Sequence, residues 1–144
     1  MIAIQVLVAG AAEGEVLVLD EPLSFWGGVH ESSGVIIDTH HPQHGTALAG
    51  KVVVMPAGRG SSSSSSVLAE VIRGGVAPAA ILLGETDPIM ALGAMVGEAL
   101  YARTVPVVVL DRDQYARVGG WQYARLAVGD DGMQLTEGPR ASHH

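Results

Sequence analysis

Three short apolar runs, residues 51–55, 79–83 and 106–110, alternate with two amphipathic patterns, and that alternation admits few architectures. Each run is nearly uninterrupted and rich in Val, Ile or Leu, as expected of strands covered on both faces. After the first run, Val67, Leu68, Val71 and Ile72 fall on one side of a helix that starts within a serine run, continues to about Arg73, and is stopped by Gly74-Gly75. After the second, Asp87 is a good N-cap and Pro88 suits the first helical position. Ile89, Leu92, Val96 and Leu100 are expected to supply that helix's buried stripe. Strand–helix–strand–helix–strand implies a parallel sheet with right-handed crossovers. Residues 111–118 read as a short helical turn. Residues 121–128 and 133–136 flank Gly129-Asp130-Asp131-Gly132, a hairpin signal.

The first third has a different character. Ile2, Ile4, Val6 and Val8 alternate with other residues in a half-buried strand. Residues 11–14 are expected to turn the chain, residues 15–19 to form a second strand, and Asp20-Glu21-Pro22 to break it. Residues 23–29, with Trp26, Gly27 and Gly28, read as an irregular loop. Residues 35–37 read as a strand and 38–50 as a loop holding His40, His41 and His44. Turn signals at such short intervals suggest a small barrel or sandwich. The fold class is therefore α/β, a β-rich N-terminal half joined to a parallel βαβαβ unit. No linker splits the chain, so residues 1–140 form one domain. Residues 141–144 are a tail, and His143 and His144 read as the start of a purification tag.

Composition removes several functions. A formal charge of −7 disfavours a nucleic-acid-binding surface. Without cysteine there is no disulfide, no thiol nucleophile and no thiolate to ligate an iron–sulfur cluster. The N-terminus lacks the basic start of a secretory signal and no apolar run reaches membrane-spanning length, so a cytoplasmic location is expected.

The chemistry concentrates between the first buried strand and its helix, in Pro56-Ala57-Gly58-Arg59-Gly60-Ser61 and the five serines that follow. Gly58 and Gly60 let backbone approach a bound group. The helix start offers unpaired N–H groups and the positive end of the dipole. Arg59 adds a planar fork suited to carboxylate or phosphate. One or two serines serve as caps, but six in a row give up helix propensity that a polar ligand would repay. No Gly-Lys-Ser/Thr follows the turn, and no Gly lies two residues after Ser61, so neither a nucleotide P-loop nor a hydrolase elbow fits. Ser61 is the leading catalytic candidate, with Arg59 and the helix start lowering the cost of ionising its hydroxyl.

The string Gly58-Arg59-Gly60-Ser61-Ser62-Ser63, the upstream Glu21-Pro22-Leu23-Ser24-Phe25-Trp26-Gly27-Gly28-Val29, and Pro78-Ala79-Ala80-Ile81 resemble the small subunit, or swivelling domain, of the aconitase X family. The resemblance runs from about Val16 to Val109. It implies a swivelling β/β/α fold that docks on a separate large subunit carrying an iron–sulfur cluster, none being bound by this chain. It implies a hydro-lyase subunit, inactive without that partner, acting on a small hydroxy acid. Known types dehydrate cis-3-hydroxy-L-proline or mevalonate 5-phosphate. The family's catalytic serine maps onto Ser61, whose implied role is proton abstraction from carbon while the partner's cluster acts as Lewis acid on the leaving hydroxyl. Gly58, Arg59, Gly60, Ser62 and Ser63 become substrate-binding candidates, and Ser62 and Ser63 also alternative bases. The all-serine continuation departs from the Ser-Thr-Val-Gly-Ser of the archaeal mevalonate enzymes and favours the hydroxyproline branch.

Other residues leave alternatives open. Trp26, Gly27 and Gly28 line the cleft or the subunit contact, or else form a turn with Trp covering the core. Three histidines in one loop can bind zinc, but no carboxylate or Cys pattern completes a site, and a solvated or interface loop is the better reading. A phosphohistidine carrier would need His at the helix start, where this chain has Ser. A non-catalytic module holding a small anion at the Gly-Arg-Gly-Ser turn is the remaining alternative. Glu85, Asp87 and Asp111 share the expected rim at the carboxyl ends of the strands, with Asp87 read as a cap and Glu85 as a partner for Arg59 or the second subunit. Arg103, Arg112, Arg117 and Arg125 read as surface or interface charges.

Overall fold

The computed structural model describes residues 5–57, 63–129 and 132–138. Among these, the strands are β1 (Gln5–Val8), β2 (Ala12–Val18), β3 (Val52–Met55), β4 (Ala80–Leu83), β5 (Val107–Val109), β6 (Tyr123–Gly129) and β7 (Gly132–Glu137). The helices are α2 (Ser63–Arg73), α3 (Pro88–Tyr101) and α4 (Arg112–Val118), and α1 (Phe25–Gly28) is a single turn whose backbone is not helical at Trp26 and Gly27. All strands join one sheet in the order β1-β5-β4-β3-β2-β6-β7. Strands β2 to β5 run parallel, β1 is antiparallel to β5, and β6 and β7 continue antiparallel beyond β2.

Period-two alternation sends each central strand into two cores. Val53, Met55, Ile81, Leu83 and Val107 pack under α2 and α3, with Leu23 and Phe25 closing the same side. Val52, Val54, Leu82 and Val108 pack against Val118 of α4 and against Leu126 and Leu135 of the hairpin. The central strands are apolar throughout because both faces are covered.

The β-rich first third does not close as a small barrel or sandwich. Its strands β1 and β2 are inserted into the common sheet on either side of the parallel unit. Residues 35–37 make only isolated bridges, Val29 with Ile36 and Val35 with Ala47. Residues 12–14 are strand rather than turn. Gly14 sits opposite Ala124, and a Cβ on it would run into the carbonyl of Gly50. That glycine marks a close backbone approach inside a strand, not a reversal.

Helix α2 ends as expected. Val76 N–H donates to the Val71 carbonyl and Gly75 N–H to Ile72, with Gly75 at φ +76°. These are the two bonds of a Schellman stop. Asp87 caps α3, its carboxylate accepting from the N–H of Ile89 at 2.9 Å and of Met90 at 3.2 Å. The expected stripe of α3 is corrected. Its buried residues are Met90, Gly93, Ala94 and Gly97, while Leu92 and Leu100 are exposed. Small residues face α2 because the two helices approach too closely for side chains between them. A Cβ on Gly97 would lie 2.5 Å from Ile72 Cδ1.

Candidate functional site

The carboxyl ends of β3, β4 and β5 form one rim. Met55 pairs with Leu83, and Leu83 with Val109, so Pro56, Gly84 and Leu110 follow side by side. Gly84 N–H donates to the carbonyls of Met55 and Pro56 at 3.2 and 3.1 Å. A Cβ there would stand 2.9 Å from the Pro56 carbonyl, so the chain leaving β3 can cross β4 only over a glycine. Pro56, Gly84, Leu110, Asp111, Arg112 and Tyr115 line a cleft of about 400 Å³ at this rim. Burial, and then the charge of Asp20, push the Tyr115 phenol upward, so it remains a neutral hydroxyl. Asp111 is committed to a capping box. Its side chain accepts from the Gln114 N–H at 2.8 Å, and its own N–H donates to Gln114 Oε1 at 2.9 Å. Asp87 likewise is a cap, as expected.

Gly58, Arg59, Gly60, Ser61 and Ser62 lie outside the described residues, as do the side chain of Ser63 and hence the expected pairing of Glu85 with Arg59. The residues on either side of them are described. Pro56 belongs to the rim, and Ser63 opens α2.

Trp26, Gly27 and Gly28 form an ordered turn, not an irregular loop. Trp26 has φ −73°, ψ 118° and Gly27 φ 78°, ψ −13°, the pair of conformations of a type II turn, whose third residue favours glycine. The indole is 61% exposed, so it does not cover the core; Phe25, fully buried, does. The turn packs against the first turn of α2, where Ser64 Oγ accepts from the Trp26 N–H at 3.2 Å. The Trp26 turn therefore meets the described part of the serine run at Ser64, 38 residues further along the chain.

The profile for the aconitase X swivel domain matches residues 1–134. The chain belongs to the aconitase X swivel-domain family. This swivel domain is 49% identical over 129 residues to a cis-3-hydroxy-L-proline dehydratase of Pseudomonas aeruginosa, covering 90% of this chain but 22% of that protein. It is 40% identical over 107 residues to the phosphomevalonate dehydratase small subunit of Methanosarcina mazei, covering 74% of this chain and 70% of that subunit. The crystal structure of Thermococcus kodakaraensis aconitase X in its holo form superposes with a TM-score of 0.73 at 33% identity, covering 92% of this chain and 95% of that one. The chain thus spans about a fifth of the length of the hydroxyproline dehydratases it matches and most of the length of the small subunits.

A second, larger cleft, about 860 Å³, opens at the opposite, amino end of β3 beside Glu15, Lys51, Trp121 and Tyr123. Two of its charges are engaged with each other, Lys51 Nζ lying 2.8 Å from Glu15 Oε1. Open α/β sheets bind ligands beyond the carboxyl ends of their strands, the end at which Pro56, Gly84 and Tyr115 line the smaller cleft.

The histidine loop is structural in part. His41 is buried, with Nε2 3.1 Å from the Glu21 carbonyl and Nδ1 accepting from the Gln43 N–H at 3.0 Å. Among the described residues no cluster of His, Asp and Glu could hold a metal ion. Arg103 donates from one nitrogen to the carbonyls of Ile72 and Arg73, closing the end of α2, and Arg125 pairs with Glu13. Sequence reading did not single out Tyr115 or Ser64. A tyrosine four residues past an N-cap aspartate, and a serine at the start of an amphipathic helix, were the only signals for them.

Proposed function

We propose that this swivel domain is the small component of a hydro-lyase that dehydrates cis-3-hydroxy-L-proline, with Ser61 as the base that takes a proton from carbon. The observation that carries the reading is the hydrogen bond between Trp26 and Ser64. It ties the Trp26 turn to the serine run at Ser64, on the helix that follows the carboxyl end of β3, the end at which an α/β sheet holds its ligands. The higher identity to the hydroxyproline dehydratase than to the phosphomevalonate subunit favours the imino acid as substrate. Mevalonate 5-phosphate is the second reading, supported by the match to small subunits over most of their length.

The chain's own residues divide the work. Gly58 and Gly60 admit the substrate close to backbone, while Arg59 holds its carboxylate as a bidentate pair. Ser62 and Ser63 supply hydroxyls at the start of α2, where the dipole favours an anion. The hydroxyl of Ser61, ionised with the help of that field, removes the proton from carbon. Trp26, Gly27 and Gly28 form the contact with the large polypeptide. This chain has no cysteine, so the iron–sulfur cluster implied by the family belongs with that partner. No helix among the described residues is long and apolar enough to cross a membrane, and we place the assembled enzyme in the cytoplasm.

The test is co-expression with the large polypeptide and assay on both substrates. Turnover of cis-3-hydroxy-L-proline that falls by roughly 10²–10⁴-fold in Ser61→Ala, with assembly intact, is expected. Unchanged turnover in that variant removes Ser61 from the mechanism, and turnover by the isolated chain removes the need for the partner.

A further inference from the structure

Ser64 is 1% exposed, one of few buried polar side chains among the described residues. Its oxygen accepts from the Trp26 N–H at 3.2 Å and lies 3.5 Å from Ser24 Oγ. The Ser24 hydroxyl donates to the Trp26 carbonyl at 2.9 Å. One assignment of protons satisfies all three contacts. Trp26 N–H donates to Ser64, Ser64 O–H to Ser24, and Ser24 O–H back to Trp26 C=O. The Ser64–Ser24 contact, at 3.5 Å, is the weakest of the three, and the two shorter bonds both end on the backbone of Trp26. Both polar groups of the Trp26 peptide are consumed in this ring.

The ring holds an unusual object. Trp26 presents a large apolar surface to solvent at 61% exposure. Its turn depends on Gly27 at φ 78°, a conformation that glycine adopts on either side of zero. Nothing about a type II turn alone fixes which way it leans on α2. The two serines fix it by tying the turn to the first turn of that helix.

We infer that Ser64, assisted by Ser24, is a positioning residue that clamps the Trp26 turn to the start of α2 and so sets the indole for contact with the large polypeptide. Its role in turnover rests on the dehydratase reading above; the clamp itself does not.

Two measurements separate these. The sequence has two tryptophans, so in a Trp121→Phe background Trp26 alone reports by fluorescence. In the full chain, Ser64→Ala is expected to lower Trp26 anisotropy and change its quenching by acrylamide, and Ser24→Ala to do so less. Ser64→Thr, which keeps the oxygen, is expected to restore both signals. In the assembled enzyme, Ser64→Ala is expected to lower kcat about fivefold to tenfold with KM for cis-3-hydroxy-L-proline nearly unchanged. Wild-type anisotropy and quenching in Ser64→Ala would overturn the clamp. If the fluorescence responds but the wild-type complex turns over neither substrate, the clamp stands and the dehydratase reading falls. If Ser61→Ala is inactive while Ser64→Ala keeps wild-type kcat, the positioning role in turnover is wrong.

Discussion

Gly93 of α3 faces the Ser65 carbonyl of α2 so closely that a Cβ on the glycine would stand 2.9 Å from that oxygen. Leu68 Cβ would be 3.0 Å away on the other side. Backbone on one hand and a side-chain root on the other leave no flexible atom to yield. Gly93→Ala should therefore push α2 outward at its first turn. Alanine's better helix propensity returns about 1 kcal/mol, against roughly 1–3 kcal/mol for overpacking. The expected net result is a loss of about 1 kcal/mol in urea unfolding. Because Ser65 follows Ser64, a drop in turnover larger than the stability loss explains should accompany it.

Ala102 closes α3 in the left-handed region, at φ 56° and ψ 32°. It is the one non-glycine residue among those described with positive φ. An L side chain there costs roughly 1–2 kcal/mol, partly offset by the entropy a glycine adds to the unfolded chain. Ala102→Gly should raise stability by about 0.5–1 kcal/mol, read as a higher denaturation midpoint at unchanged m-value.

Glu13 is held below the ordinary carboxylate range, first by the Tyr123 hydroxyl at 3.0 Å and then by Arg125 at 2.9 Å. A depressed folded value means that the unfolded chain binds the proton more readily. The contribution to stability is present above the ordinary value of 4.5 and is lost as pH falls from there through the folded value. Tyr123→Phe should move the Glu13 titration, followed by carboxyl NMR shifts, upward toward 4.5. Glu13→Gln should flatten the acid limb of the stability profile over the same window.

His41 ties the loop at residues 38–48 to the segment after β2 through Nε2, which meets the Glu21 carbonyl, and braces the loop itself through Nδ1, which accepts from the Gln43 N–H. Replacing it by alanine leaves the Gln43 N–H and Glu21 carbonyl short of a partner and opens a cavity. His41→Ala should cost roughly 1–3 kcal/mol. His40→Ala, at an exposed position, should stay within about 0.5 kcal/mol. A chelator should leave the melting temperature of the wild-type chain unchanged; a drop would mean that the histidine loop does hold a metal.

Asp87 satisfies two N–H groups at the start of α3. Asp87→Ala should cost about 1 kcal/mol, and Asp87→Ser much less, since serine can accept one of the same bonds. Activity that falls far beyond this would make Asp87 more than a cap.

Much of this architecture was legible because it was written locally. Asp87-Pro88, Gly74-Gly75 and the pair Gly129 and Gly132 each mark an element boundary through backbone chemistry within a few residues. The buried runs of β3, β4 and β5 announce a doubly covered sheet. What was not legible depends on partners distant in sequence. Gly14 looks like a turn until Gly50 is placed beside it. The stripe of α3 misleads because periodicity ranks side chains by hydrophobicity, whereas α2 selects them by size. Ser24 and Ser64 are 40 residues apart, and nothing near either one signals the other. At the rim, Tyr115 became visible only once its ring lay beside Gly84.

The outer face of α3 exposes Leu92, Met95 and Leu100 in one strip. The formal charge of −7 opposes association of copies of this chain through that strip. That repulsion disappears near pH 5.2 and is muted by salt. Solubility of the chain expressed alone should therefore be poorest in mildly acidic, high-salt buffer, where the oily strip meets little opposition.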